Sequence, residues 1–535
     1  MRMRENQTSA YRLAFWGILA LGLAVRLWRF GAVPGGLNQD EAFAGYEAWA
    51  LLCTGRDSAG YTWPVYLTAW GSGMNALETY LMLPFMAVFG RQGWVVRLPQ
   101  LLVACLSLPA FHDCLRRGSD EETALWGMLL LAICPWHVLL SRWGLESNLA
   151  PGFLLFGTCF FLRGLEDSRW LPISALFYGL ALYSYATIWP ILPAVLMIQG
   201  VYCALRGKLR LDPWLLLSLL LLALLALPLL LFLAVNLGWM EEIRGPVFSI
   251  PKLLVMRSGE ISFRQIPENL RNLFTILRNQ SDGLLWNSPG SLADLGRDGW
   301  SLSALRRCGG LYGLAYLITP PFVLLGLLLV LICLVRAGKD FAPGSLLLFW
   351  LLAGLALGAL VHVNVNRVNV IFLPLLALAA IGLRWFCALF RGKTATAMLL
   401  AAYLLLFGLF TGDFFNGERG YDSRIRYSFG YGLDSALAEA MEGEGTIVLD
   451  RHVYYSQVLF YSGTDPEDFR ETVIYENYPA AYLRPTEFGR FRFGYSDGVP
   501  EDTASIILSP WTDGEALREA GFSCTHHGIY TLWQR

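Results

Sequence analysis

The residues best placed to do chemistry follow the first long apolar run, where Gly35-Gly36-Leu37-Asn38-Gln39-Asp40-Glu41 brings two adjacent carboxylates to a membrane boundary. Carboxylates there are costly unless they are used. One use is local. Asp40 or Asn38 caps a helix from Glu41 to Leu52, and Glu41 is favoured by the macrodipole in the first turn. The other use is a general base, because partial desolvation at a lipid interface raises a carboxylate's pKa toward the range that accepts a hydroxyl proton. The two uses are compatible, since a capping position is also a rigid one.

Other polar residues recur at apolar boundaries. Glu78 lies in the marginal run Ala76 to Phe89, and Arg97 opens an Arg-Leu-Pro triplet after it. In Ser141-Arg142-Trp143-Gly144-Leu145-Glu146, Arg142 and Glu146 are four apart, the spacing of a helical salt bridge. Such a pair is either structural or in contact with a substrate. His137 beside Trp136 reads as an interfacial side chain, because no HExxH or carboxylate-histidine cluster accompanies it. Between two strongly apolar runs stands His362-Val363-Asn364-Val365-Asn366-Arg367-Val368-Asn369. An arginine fixed there suits a lipid-linked phosphate, which it can grip with two parallel hydrogen bonds, although snorkelling to headgroups is the plainer use.

The elements that must position these residues are membrane helices. The chain has 535 residues, 55% hydrophobic and 16% charged, with 41 basic against 42 acidic side chains. This composition excludes a disordered chain, a disulfide miniprotein and a basic nucleic-acid binder. The ten cysteines are scattered and read as small buried hydrophobes. Apolar runs long enough for about 30 Å of hydrocarbon begin near Tyr11, Arg97, Thr123, Leu149, Leu171, Thr187, Trp214, Leu311, Gly344, Val368 and Thr396. The pattern predicts an α-helical polytopic membrane protein of about 11 transmembrane helices. The first run lacks a cleavage site after Phe30 and reads as an anchor.

Loop charge orients the helices. With the N-terminus inside and Ala76 to Phe89 re-entrant, the inner loops hold Arg2, Arg4, Arg12, Arg116, Arg117, Arg163, Arg169, Arg206, Lys208, Arg210, Arg336, Lys339, Arg391 and Lys393. The short outer turns hold Arg142 and Arg367. The expected outer face then carries a first loop at 34–96, a long loop at 236–310 and a tail at 413–535, beside a membrane body spanning 1–412. In the long loop Arg257, Arg264 and Arg271, spaced by seven, either line one helix face at the headgroups, the favoured reading, or reach over the donor. The tail has 20 acidic and 10 basic residues and no lysine, which marks a water-facing, extracytoplasmic domain. Its β-type runs, Thr446 to Leu449, Ser505 to Leu508 and Ile529 to Trp533, alternate with helix-like Asp434 to Met441 and Gly514 to Ala520, the pattern of a small α/β domain.

This order of motifs resembles the protein O-mannosyltransferase-like branch of the GT-C glycosyltransferases, the branch that includes aminoarabinose transferases (glycosyltransferase family 39). The resemblance rests on Asp40-Glu41 after the first run, the aromatic loop ending in Arg97-Leu98-Pro99, and Ser141-Arg142. It also rests on Asn364-Val365-Asn366-Arg367 with Leu373-Pro374 following, Tyr183-Ser184-Tyr185, and Leu459-Phe460-Tyr461 in the acidic tail. It implies an integral-membrane glycosyltransferase of the plasma membrane that takes a sugar from a polyprenyl-phosphate carrier and inverts it onto an extracytoplasmic protein, lipid or wall polymer. Asp40 resembles the family's acceptor-activating carboxylate and Glu41 its partner. Arg97, Arg142, Glu146, Asn366, Arg367 and Glu78 are the expected donor or substrate contacts. No cofactor is required beyond the lipid-linked donor, and a divalent metal is left open. The Lys-Pro-Pro-Leu motif of the aminoarabinose enzymes is here Met74-Asn75-Ala76-Leu77, so their lysine contact and lipid A acceptor do not carry over with the resemblance. A transporter or flippase of a lipid-linked sugar is the alternative, but it predicts ionisable residues at mid-membrane, and the apolar runs are almost free of them. A scaffold whose acidic tail alone carries the activity is a third reading.

Overall fold

The computed structural model describes residues 2–208, 211–256, 262–279, 312–337, 344–390, 393–416, 426–495 and 502–535. Arg210, Arg257, Lys339, Arg391 and the stretch 280–310 of the long loop lie outside the described residues. The chain is mostly helical. In order the helices are α1 (Arg2–Leu27), α2 (Gln39–Thr54), α3 (Leu77–Phe89), the short α4 (Gly93–Val96), α5 (Leu98–Gly118), α6 (Glu121–Ile133) and α7 (Pro135–Leu140). There follow α8 (Glu146–Gly164), α9 (Leu171–Leu182), α10 (Ile188–Leu205), α11 (Pro213–Asn236) and α12 (Ile266–Asn279). The membrane body closes with α13 (Pro320–Ala337), α14 (Ser345–Leu360), the one-turn α15 (Val365–Val368), α16 (Phe372–Ala388) and α17 (Thr394–Phe415).

Each of the eleven apolar runs contains helix, and among the described residues seven helices are long and apolar enough to cross a membrane by themselves. The shortfall has local causes. Pro135 lacks the amide hydrogen that would continue α6, so that run bends into α7. Helices α9 and α14 have 12 and 16 residues. Irregular backbone at their ends is covered by protein, which satisfies its polar groups where lipid could not. The run expected to begin near Leu311 becomes helical only at Pro320, which suits the first turn of a helix. Helix α3 has 13 residues, about 20 Å at 1.5 Å per residue, which is short of the hydrocarbon thickness.

The C-terminal domain is a seven-stranded mixed sheet. Its strands are β5 (Thr446–Leu449), β6 (Ile474–Tyr475), β7 (Pro485–Phe488), β8 (Phe491–Phe493), β9 (Thr503–Leu508), β10 (Ser523–His527) and β11 (Tyr530–Gln534), in the order β10-β11-β9-β5-β8-β7-β6. Before them in the chain come two small hairpins, β1 (Tyr66–Leu67) with β2 (Met74–Asn75) and β3 (Ile243–Arg244) with β4 (Ser249–Ile250). Strand β5 runs parallel to both β8 and β9 and is buried at all four positions. Helices α18 (Leu433–Glu442), α19 (Tyr455–Ser462), α20 (Pro466–Thr472) and α21 (Glu515–Glu519) flank the sheet. The body's last helix runs to Phe415, so the membrane body ends a turn past residue 412.

The first loop does not hang free. Phe43 and Tyr46 of α2 share one buried apolar cluster with Leu459 and Phe460 of α19 and with Phe469 of α20. This packing fixes the N-terminus of α2, and Asp40 with it, against the C-terminal domain.

Candidate active site

The N-terminus of α2 is built by short-range hydrogen bonds. Asn38 is its cap and its side chain accepts from the Asp40 amide at 3.1 Å, while the Asn38 amide donates to Glu41 at 2.8 Å. This reciprocal box satisfies two amides that a helix start leaves bare. Of the two caps open from sequence, Asn38 takes the position, and Asp40 is freed from capping.

Glu41 is fully buried. Arg97 Nε and Nη2 donate to its two carboxylate oxygens at 2.9 and 3.0 Å, and the Gly144 amide donates at 2.7 Å. A side chain at Gly144 would press on the Val96 carbonyl and on Glu78, so glycine is needed for this approach. Arg97 also donates to the Pro34 and Gly36 carbonyls at 2.7 and 2.6 Å. Every Glu41 oxygen is engaged and Arg97 has spent its fork on protein acceptors. Glu41 and Arg97 thus hold the turn before α2. Asp40, on the adjacent position, is half-buried and looks toward Tyr454, whose hydroxyl is pushed up in pKa by burial and by the Asp40 charge.

Arg142 and Glu146 do not pair. Residues 141–145 form a turn, with Gly144 in it, so the four-residue helical spacing is not realised. Arg142 is buried and donates to the carbonyls of Val33 at 2.8 Å, Val25 at 2.9 Å, Arg26 at 3.1 Å and Trp28. Its guanidinium lies 4.7 Å from the Phe415 ring centre. It ties the end of α1 to the turn before α8. Glu146 opens α8 and accepts from the Asn75 amide. Glu78, in the first turn of α3, is buried and neither oxygen has a hydrogen-bond partner among the described residues. Burial, with the like charges of Glu41 and Glu146 near it, holds its carboxyl well above the usual range.

Asn366 and Arg367 occupy α15, whose start Asn364 caps through the Arg367 amide at 2.8 Å. Arg367 is half-exposed and reaches the His362 carbonyl at 3.5 Å, while Asn369 donates to the Ser147 carbonyl at 2.7 Å. The polar knot is thus tied to the start of α8, beside Glu146. His137 is enclosed and bonded to Arg26 at 2.6 Å, so it is a core residue rather than an interfacial one.

A cleft of about 810 Å³ opens beside α2, lined by Gln39, Trp70, His452, Tyr454, Glu476 and Arg484. Its far wall comes from the C-terminal domain, through Arg451-His452-Val453-Tyr454-Tyr455, which carries no motif the sequence singles out. Tyr454 is half-exposed there, between buried Val453 and Tyr455. Among the described residues no three His, Cys, Asp or Glu side chains come together as a metal site.

ArnT from Cupriavidus metallidurans in the apo state superposes with a TM-score of 0.53 over 98% of this chain and 98% of its own, at 13% identity. The same protein bound to undecaprenyl phosphate gives 0.52 over 99% and 98%, at 12% identity. The apo oligosaccharyltransferase of Archaeoglobus fulgidus gives 0.50 at 14% identity, over 85% of this chain and 64% of that one. Residues 49–234 match the family model described as dolichyl-phosphate-mannose-protein mannosyltransferase. No curated protein matches the sequence. The chain is a multi-pass membrane protein with the GT-C fold, and the family match covers about a third of it.

Proposed function

We propose that the protein transfers a sugar from a polyprenyl-phosphate carrier to an acceptor hydroxyl on the extracytoplasmic side, with inversion. The observation that carries this reading is Asp40. It is a half-exposed carboxylate on a helix end that a capping box and the buried Glu41–Arg97 pair hold rigid. A base so fixed needs no reorganisation at the moment of reaction. The acceptor oxygen attacks the anomeric carbon on one face and gives its proton to Asp40. The bond from that carbon to the phosphate oxygen breaks on the other face, and its electron pair leaves with the polyprenyl phosphate.

The leaving phosphate calls for a cation. Arg97 and Arg142 are committed to the protein, so half-exposed Arg367 is the retained candidate, with Asn366 and Glu146 beside it on the knot and Glu78 as a buried acid nearby. The structure of ArnT bound to undecaprenyl phosphate supports a lipid phosphate as the kind of ligand this fold takes.

The test is transfer or donor hydrolysis by purified protein in detergent with a panel of radiolabelled short-chain polyprenyl-phosphate sugars, comparing wild type with Asp40→Asn. Turnover by wild type that vanishes in the variant sustains the reading and names the donor. Full turnover by a folded Asp40→Asn protein overturns it.

A further inference from the structure

A second cavity, of about 400 Å³, lies on the same side of the membrane body as the C-terminal domain. The turn after α1, the α3–α4 connection and the first turn of α18 enclose it. Arg91 enters its wall from the α3–α4 connection. The guanidinium carbon stands 5.6 Å from the Trp49 ring centre on α2 and 5.7 Å from that of Phe460 on α19. Gly463 ends α19 in the left-handed region at φ 69°, and a side chain there would overlap the Arg91 guanidinium. Glycine thus serves both the helix end and the space that arginine occupies.

Among the described residues Arg91 has no hydrogen bond and no ion pair, and its Nε is buried without an acceptor. This is an expensive way to keep an arginine. A desolvated donor without an acceptor is destabilising, and a snorkelling arginine would turn its head to water instead. Two aromatic rings hold the plane of the fork but satisfy none of its donors. Arg97, on the same cavity, is committed to Glu41 and to carbonyls. Asp434 is the one carboxylate among the lining residues. Around the cavity Trp28, Phe89 and Trp94 are exposed apolar surface, the pattern of an aromatic belt at headgroup level.

We propose that this cavity binds a phosphate-bearing headgroup whose oxyanion the open fork of Arg91 grips, in a site separate from the cleft beside Gln39 and Tyr454. The chemistry shared by the candidate ligands is a phosphate monoester or diester, which arginine's planar donors match in pairs. A membrane lipid and dissolved phosphate both offer that oxyanion. The aromatic belt favours the lipid, whose chains would lie along it.

The experiment measures binding of a short-chain phosphatidic acid and of inorganic phosphate to the purified full chain in nonionic detergent, for wild type, R91Q and D434N. Phosphatidic acid is expected to bind R91Q about tenfold more weakly, the loss of one charge-assisted hydrogen bond. It is expected to bind D434N several-fold more tightly, because a like charge is gone, and misfolding does not produce a gain. Inorganic phosphate is expected to bind weakly. If it binds as tightly as the lipid and is lost in R91Q, the oxyanion site stands and the lipid source is overturned. If R91Q lowers the melting temperature while phosphatidic acid binds both variants as it binds wild type, Arg91 is only an aromatic staple and the proposal fails.

Discussion

Asp40 and Glu41 are adjacent in sequence and turned apart in space, because successive side chains on a helix point about 100° from one another. Glu41 faces Arg97 inside the protein and Asp40 faces the C-terminal domain. The two substitutions are expected to fail differently. Glu41→Gln leaves Arg97 buried without its counter-charge, which costs about 3–5 kcal/mol and lowers the melting temperature along with transfer. Asp40→Asn is expected to keep the melting temperature and to lose about 10²–10⁴-fold in turnover, the worth of a general base. Equal melting losses in both would remove the division of labour. Two further carboxylates give a pH dependence. Glu47 is buried and accepts from the Ser58 amide at 2.8 Å and from the Ser58 hydroxyl at 2.5 Å. Asp57 accepts from Tyr61 at 2.8 Å and Thr68 at 3.1 Å. Burial first, then the Asp57 charge, pushes Glu47 from 4.5 up to about 8, against the weaker pull of Arg470, and burial pushes Asp57 up as well. In this window the folded chain holds a proton that the unfolded chain has lost. The Glu47 contribution is therefore full below about 4.5 and is lost as pH rises through about 8. Glu47→Gln is expected to flatten the fall in melting temperature across that window, and an unchanged slope would show that Glu47 does not titrate there. Neither buried carboxylate was legible in the sequence, because Glu47 sits in an ordinary amphipathic stretch and Asp57 in a turn 10 residues on.

At the scale of elements, hydrophobic length and charge placement made the membrane helices readable, and strands β5, β9 and β11 stood out as short runs of β-branched, aliphatic and aromatic residues. Strands β7 and β8 did not, because Pro485-Thr486-Glu487-Phe488 and Phe491-Arg492-Phe493 are short and mixed, and pairing with each other and with β5 defines them. Helix α19 was read only as a Leu-Phe-Tyr motif, since its face is apolar toward α2 and its partner lies some 400 residues away in the chain, as the Gln457 to Leu37 carbonyl bond of 2.7 Å illustrates. The Arg142–Glu146 pair failed for a different reason. The rule for spacing four holds only within a helix, and here a turn precedes α8. Arg142 instead gathers the last carbonyls of α1, which a helix end leaves without partners. Arg142→Lys keeps the charge and loses the fork. It is expected to lower the melting temperature, at about 1–3 kcal/mol for each acceptor left bare, without raising the KM for a polyprenyl-phosphate sugar. A raised donor KM at an unchanged melting temperature would return Arg142 to the donor site.

The whole molecule is tied together where the sequence divides it. Composition separates an apolar body from an acidic tail, yet the first loop of the body and the tail share one core through α2, α19 and α20. Position in sequence could not show this, because the partners are the two ends of the chain. The consequence is that the C-terminal domain helps to aim Asp40, and its two faces are expected to differ in what they control. Phe460 packs on α2, with its ring against the space of Gly45. Trp533 packs in a separate cluster with Ile506, Leu508, Leu517 and Phe522 on the other side of the sheet. Phe460→Ala and Trp533→Ala each remove an aromatic ring from a core and are each expected to cost about 3–5 kcal/mol. Only Phe460→Ala loosens α2, so at a temperature where both variants stay folded it should cut sugar transfer by tenfold or more (about 1.4 kcal/mol in the barrier) while Trp533→Ala keeps turnover near wild type. Equal activity in both variants would make the domain a passive cap. Equal loss would place its effect in overall stability rather than in the aim of one carboxylate.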